Sequence, residues 1–204
     1  MGGGHENKVE QLPPNFRFSP DDRFYLAPPF CHLLHYRAAC LPAVAFEIIC
    51  LASGLWALTQ CSEFLALWVV LLFAALLLMA VVSGAMMVFA VINDKPAWFL
   101  PKMLILQLEI FVLMVVALVA IVAMSIGIEA TAWLFSFILK VSVMEPKFGP
   151  IWPFNIAAVS FFGAAISVWC LAIVRGAQDY VLDKEYFMKQ PTVEMTPEKK
   201  APKP

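Results

Sequence analysis

Two carboxylic acids stand inside otherwise apolar stretches of this chain. Glu47 interrupts Ala43-Val44-Ala45-Phe46 and Ile48-Ile49, and Glu109 follows Leu108 and precedes Ile110-Phe111. A charged carboxylate at the centre of a bilayer costs roughly 2.5–3.5 kcal/mol on insertion scales, so each acid must face protein rather than lipid. Glu47 lies ten residues past Arg37, and Glu109 seven past Lys102. At about 1.5 Å of rise per helical residue, both fall in the same half of a membrane, about one turn apart in depth. They are placed to meet. One chemistry for such a pair is a proton or cation relay, or a site for a polar lipid head. The other is interhelical hydrogen bonding that fixes packing, with Gln107 or Ser83 as partner. The second is favoured, because four short helices alone enclose little aqueous space.

A second cluster precedes the first apolar segment. Cys31, His32, His35 and Cys40 include enough ligand types for zinc, but their spacing matches no standard zinc motif, so no metal site is assigned. Juxtamembrane cysteines are more often reversibly palmitoylated, which makes Cys31 and Cys40 the candidates, but the favoured reading is plainer, two interfacial histidines snorkelling among lipid headgroups. The five cysteines are odd in number and share no evident loop, so a disulfide framework is not expected.

The elements that must position these residues are membrane spans. The chain is 62% hydrophobic and 14% charged, about half the charged fraction of soluble domains. From Phe64 to Ile92 only Ser83 and Gly84 are not hydrophobic. That run exceeds the 20 or so apolar residues a helix needs to cross the hydrocarbon core. The fold class is therefore an all-α integral membrane protein, a four-transmembrane-helix bundle. Its spans are expected near 38–59, 64–92, 103–128 and 155–174, between a leader at 1–37 and a tail at 175–204 that reads as mostly disordered after a short helical start. The short turn Gln60-Cys61-Ser62-Glu63 makes the first two spans antiparallel neighbours. Between the third and fourth spans, 130–143 reads as a helix lying in the interface or extending the third span. Small residues recur at four-residue spacing: Ala80 and Gly84, Ser160 and Ala164, Gly163 and Ser167. Such pairs let helix backbones approach, within one bundle or between copies of it.

Lys and Arg set the expected topology. The leader carries Lys8, Arg17, Arg23 and Arg37, the second connection Lys95 and Lys102, and the tail Arg175, Lys184, Lys189, Lys199, Lys200 and Lys203. The third connection has only Lys140 and Lys147, and the first has none. By the positive-inside rule both termini are cytoplasmic.

No Walker loop, HExxH, GxSxG or CxxC motif occurs, and no polar constellation gathers at one depth, so neither an enzyme nor a cofactor is expected. With a net charge of −1, nothing points to nucleic acid. The expected partners are the lipid bilayer and either a client membrane protein or further copies of the chain.

The junction Cys31-His32-Leu33-Leu34-His35-Tyr36-Arg37-Ala38-Ala39 resembles the start of the first span in lysosome-associated four-span (LAPTM-like) proteins and their nematode relatives. MARVEL-type proteins share the topology. The chain departs from the LAPTM-like pattern where Pro13-Pro14-Asn15-Phe16 lacks the tyrosine of a PPxY motif. The claudin-like Gly54-Leu55-Trp56 lies inside the first span, where that family does not have it. The resemblance implies a trafficking or scaffolding adaptor of secretory or endolysosomal membranes, with the plasma membrane equally compatible. The alternative is a small oligomeric channel or transporter subunit that uses Glu47 and Glu109.

Overall fold

A computed structural model describes residues 25–28, 33–61, 63, 65–149 and 151–189. Six α-helices follow in order: α1 (Tyr36–Gln60), α2 (Leu67–Asn93), α3 (Leu100–Ile126), α4 (Ile128–Phe135), α5 (Val141–Phe148) and α6 (Trp152–Lys189). A short 3-10 helix, Pro96–Phe99, leads into α3. Four of the helical segments are long and apolar enough to cross a membrane. Among the described residues there is no strand, only the isolated bridges Leu26–His35 and Leu65–Leu139. The chain is an all-α, multi-pass membrane protein.

Local chemistry sets the helix ends. His35 caps α1, its Nδ1 accepting the Arg37 backbone N–H at 3.1 Å. That satisfies one of the donors a helix start leaves open. Asp94 ends α2 in the left-handed region, φ 51°, a conformation that Asp tolerates better than most residues. Pro101 lies in the first turn of α3, where a missing N–H removes no intrahelical bond. Gly127, at φ 108°, breaks α3 from α4.

The membrane-facing surface and the interior divide by size. Leu71, Leu72, Phe111, Val159 and Phe162 are exposed on the outside of the bundle. Ala39, Ala43, Ala80, Ala90, Ala117, Ala120 and Ala123 are buried within it. A bilayer supplies no hydrophobic drive between helices, so close contact through small residues holds such bundles together. The most extensive pairing is α3 with α6, followed by α1 with α6.

The starts of α1 and α3 and the ends of α2 and α6 gather at one end of the bundle, hereafter the terminal face. Near it a core forms around Tyr25, Ala27, Val91, Phe99, Ala177, Tyr180 and Val181. At the opposite end Ala120, Ala123, Phe135, Leu139, Trp152 and Ala157 form a smaller one. There the Thr131 hydroxyl donates to the carbonyls of Ala123 (2.7 Å) and Gly127 (2.8 Å), fastening α4 to the end of α3.

Two features differ from the sequence-based expectation. The connection between α3 and α6 is not one helix but two short ones, separated at Ser136–Lys140. And beyond Arg175 α6 runs on as more than a short helical start. It continues to Lys189, giving a helix of 38 residues, about 57 Å long against a hydrocarbon core of about 30 Å. Arg175 marks the edge of the apolar stretch; no proline follows until Pro191. Cys31, His32 and residues 190–204 lie outside the described residues.

Candidate functional site

α1, α3 and α6 meet around a buried polar cluster. Glu47 (α1) and Glu109 (α3) are each only 2% exposed, and Lys102 (α3) is fully buried. The Lys102 ammonium donates to Glu47 Oε1 at 2.6 Å. The Ser167 hydroxyl of α6 lies 3.2 Å from Glu109 Oε2 and 3.2 Å from the Gly163 carbonyl. The two carboxyls are within hydrogen-bonding reach of each other. One oxygen of each, Glu47 Oε2 and Glu109 Oε1, is buried with no protein donor. The row therefore runs Lys102, Glu47, Glu109, Ser167, crossing three helices.

The structure brings Glu47 and Glu109 together, as their depths imply, but with different partners from those expected. Gln107 is exposed on the outer surface of α3 and takes no part. Ser83 is buried, and its hydroxyl donates to the Ala80 carbonyl of its own helix at 3.1 Å. Lys102, read from the sequence as a flanking interfacial charge, is instead the cation of the cluster. A signal for it was present: Lys102 and Glu109 are seven residues apart, two helical turns, and so share one face of α3.

The small residues position these helices. A Cβ on Gly84 would stand 3.0 Å from Val44 Cγ1, so this glycine lets α2 close on α1. A Cβ on Gly163 would stand 3.2 Å from Leu113 Cδ1, which places the second close approach between α6 and α3. Ala80, Ser160, Ala164 and Ser167 are all buried, so these stripes are used inside a single bundle.

Of the remaining candidates, Cys40 is fully buried, and its thiol donates to the Arg37 carbonyl at 3.1 Å. This corrects its reading as an acylation site, since buried sulfur in a helix interface offers nothing to an acyl donor. Cys31 lies outside the described residues. His35 is a helix cap packed edge-on against Tyr180, with ring centroids 4.5 Å apart. Among the described residues no group of His, Cys, Asp and Glu is arranged to hold a metal ion.

A second polar group, which sequence reasoning did not find, ties the terminal face together. Asp94 at the end of α2 receives Lys184 of α6 at 2.5 Å and Arg37 of α1 at 3.6 Å. Arg37 also donates to the Val91 carbonyl at 2.9 Å. The Tyr25 hydroxyl donates to Asp183 at 2.9 Å, and its ring packs edge-on against Tyr180. The part of α6 beyond Arg175 is thus docked on Tyr25 and His35 and on the α2–α3 connection. Gly176 makes this possible, because any Cβ there would enter the ring of Tyr36.

Comparison with known proteins finds a relative matching almost end to end. The chain is 35% identical over 192 residues to Protein cuti-1 of Caenorhabditis elegans, covering 93% of this chain and 95% of that one. No family model matches, so the LAPTM-like and MARVEL-type resemblances gain no support from that comparison. No solved structure matches either.

Proposed function

This chain belongs to the family of the nematode protein cuti-1, and on that premise we propose that it is a non-enzymatic membrane scaffold or trafficking adaptor. The observation that carries this reading is the mutual use of the intramembrane charges. Lys102 and Glu47 are spent on each other, Glu109 meets Ser167, and the cluster links α1, α3 and α6. Arranged so, the charges serve helix packing rather than a path for ions. In this reading both termini are cytoplasmic and the α4–α5 connection is on the far side, as the basic residues favour. The partner surface is the outer part of α6, where Leu182 and Tyr186 are exposed. The bundle sits in a secretory, endolysosomal or plasma membrane, and its partner is a client membrane protein or another copy of the chain.

Proximity labelling of the full-length protein in cells, with and without Leu182→Glu and Tyr186→Glu, tests the reading. Loss of a defined set of neighbours from a normally inserted variant is the expected result. Protease protection of tagged termini checks the orientation.

A channel or transporter subunit is the second reading, and the unpartnered oxygens Glu47 Oε2 and Glu109 Oε1 favour it. Purified protein in liposomes with a pH-sensitive dye separates the two. Proton or cation flux that disappears in Glu109→Gln would replace the scaffold reading with this one.

A further inference from the structure

The cluster at the meeting of α1, α3 and α6 has an unbalanced charge. It contains two acids and one lysine, all sealed from solvent. With both carboxyls ionised it would carry one net negative charge inside the bilayer, where an uncompensated charge is expensive. It would also hold two carboxylate oxygens, Glu47 Oε2 and Glu109 Oε1, in a dry site with nothing donating to either. One added proton removes both problems. A protonated carboxyl becomes a donor, and its neighbour's free oxygen becomes the acceptor.

We propose that Glu47 and Glu109 form a binding site for a single resident proton, which makes the Lys102–Glu47–Glu109 group electrically neutral. Glu47 Oε1 is already engaged by Lys102 at 2.6 Å, which favours the ionised form on Glu47. The proton therefore resides on Glu109 Oε1 and is donated to Glu47 Oε2, while Glu109 Oε2 accepts from Ser167. A divalent metal ion fits poorly in its place. Such ions take about six or more oxygens, and this site offers two free carboxyl oxygens beside one hydroxyl. The other titratable groups around the pair are few. Cys170 faces it from α6, with its thiol directed to the Ala43 carbonyl at 3.5 Å, and Cys50 adjoins from α1. α2 contributes none, since Leu67–Asn93 has no ionisable side chain. The neutrality of the group thus depends on three residues, and its proton count equals the number of acids minus the number of lysines. This holds whether the bundle is a scaffold or a conductor, because it concerns the resting occupancy of the site and not flux.

Infrared spectroscopy of the full-length protein in lipid nanodiscs at neutral pH tests the count. A protonated carboxyl in a dry site gives a carbonyl-stretch band separate from the carboxylate bands, shifted by exchange into D2O. The unmodified protein is expected to show one such band. Glu109→Gln and Glu47→Gln should each abolish it, since one acid and one lysine then remain as a neutral pair. Lys102→Met should double its intensity, because both acids must then be neutral. Absence of the band from the unmodified protein would overturn the proposal, and that measurement requires no variant to fold. So would a band that survives in both glutamine variants, or one that Lys102→Met leaves at its original intensity.

Discussion

Lys102 Nζ and Glu47 Oε1 stand 2.6 Å apart across 55 residues of sequence, joining the first turn of α3 to the middle of α1 with both side chains buried. Removing one member of a buried pair forces the other either to stand unpaired or to give up its charge, at a cost of up to about 3–5 kcal/mol. Lys102→Met should therefore be the most damaging single change in the cluster. Glu47→Gln should be milder, because Glu109 remains to balance the lysine. Thermal unfolding in detergent should rank them in that order, and Glu47→Gln combined with Lys102→Met should be more stable than Lys102→Met alone. Equal losses for the two single variants would contradict this account.

Ser167 supplies the contact from α6. Ser167→Ala should lower stability by about 0.6 kcal/mol and by no more than roughly 1.7 kcal/mol, the range of interhelical hydrogen bonds in membrane bundles. Glu109→Leu should cost more than Glu109→Gln, since the amide keeps a donor and an acceptor. Unfolding by denaturing detergent gives the comparison, and a stabilising Glu109→Leu would refute it.

Gly176 sits beneath the Tyr36 ring. Gly176→Ala forces that ring aside, an overpacking change expected to cost about 1–3 kcal/mol. Tyr36→Ala introduced alongside it should recover part of the loss by opening room for the methyl group. Limited proteolysis within 176–189 should rise in the single variant and fall again in the double one.

Asp94 carries both a left-handed backbone and two basic partners. Asp94→Asn retains the backbone preference and removes the charge. The pairs are partly exposed, so global stability should change by less than about 1 kcal/mol. Hydrogen exchange in the outer half of α6 should nonetheless accelerate, because Lys184 loses its anchor. Lys184→Met should accelerate it to the same extent, and the double variant no further, if charge pairing is the cause.

The spans were legible because hydropathy is a property of each segment alone. Glu47 and Glu109 could be brought to similar depths by counting from flanking basic residues. The role of Lys102 was not legible by that method, since the method takes a lysine at a span end as the boundary itself. Only its seven-residue spacing from Glu109 reveals that it can turn inward along the same face. The length of α6 was hidden for a related reason: Arg175 marks where lipid-compatible composition stops, which is a different event from where the helix stops. Gln107 shows the reverse failure. A polar residue in a span invites an inward assignment, but its neighbours Leu106 and Glu109 already fill the inward face, and Gln107 points out.

The 55 residues between Glu47 and Lys102 also set a clock on the protein's birth. At about 5–20 residues per second, roughly 3–11 s of synthesis separate the two side chains. For that interval α1 has no lysine to meet its buried acid. A further 58 residues separate Glu109 from Ser167, so the last member of the cluster arrives only with α6. A ribosome that stops before Lys102 releases a fragment with an orphaned glutamate in the bilayer, chemically distinct from the finished protein and recognisable as incomplete.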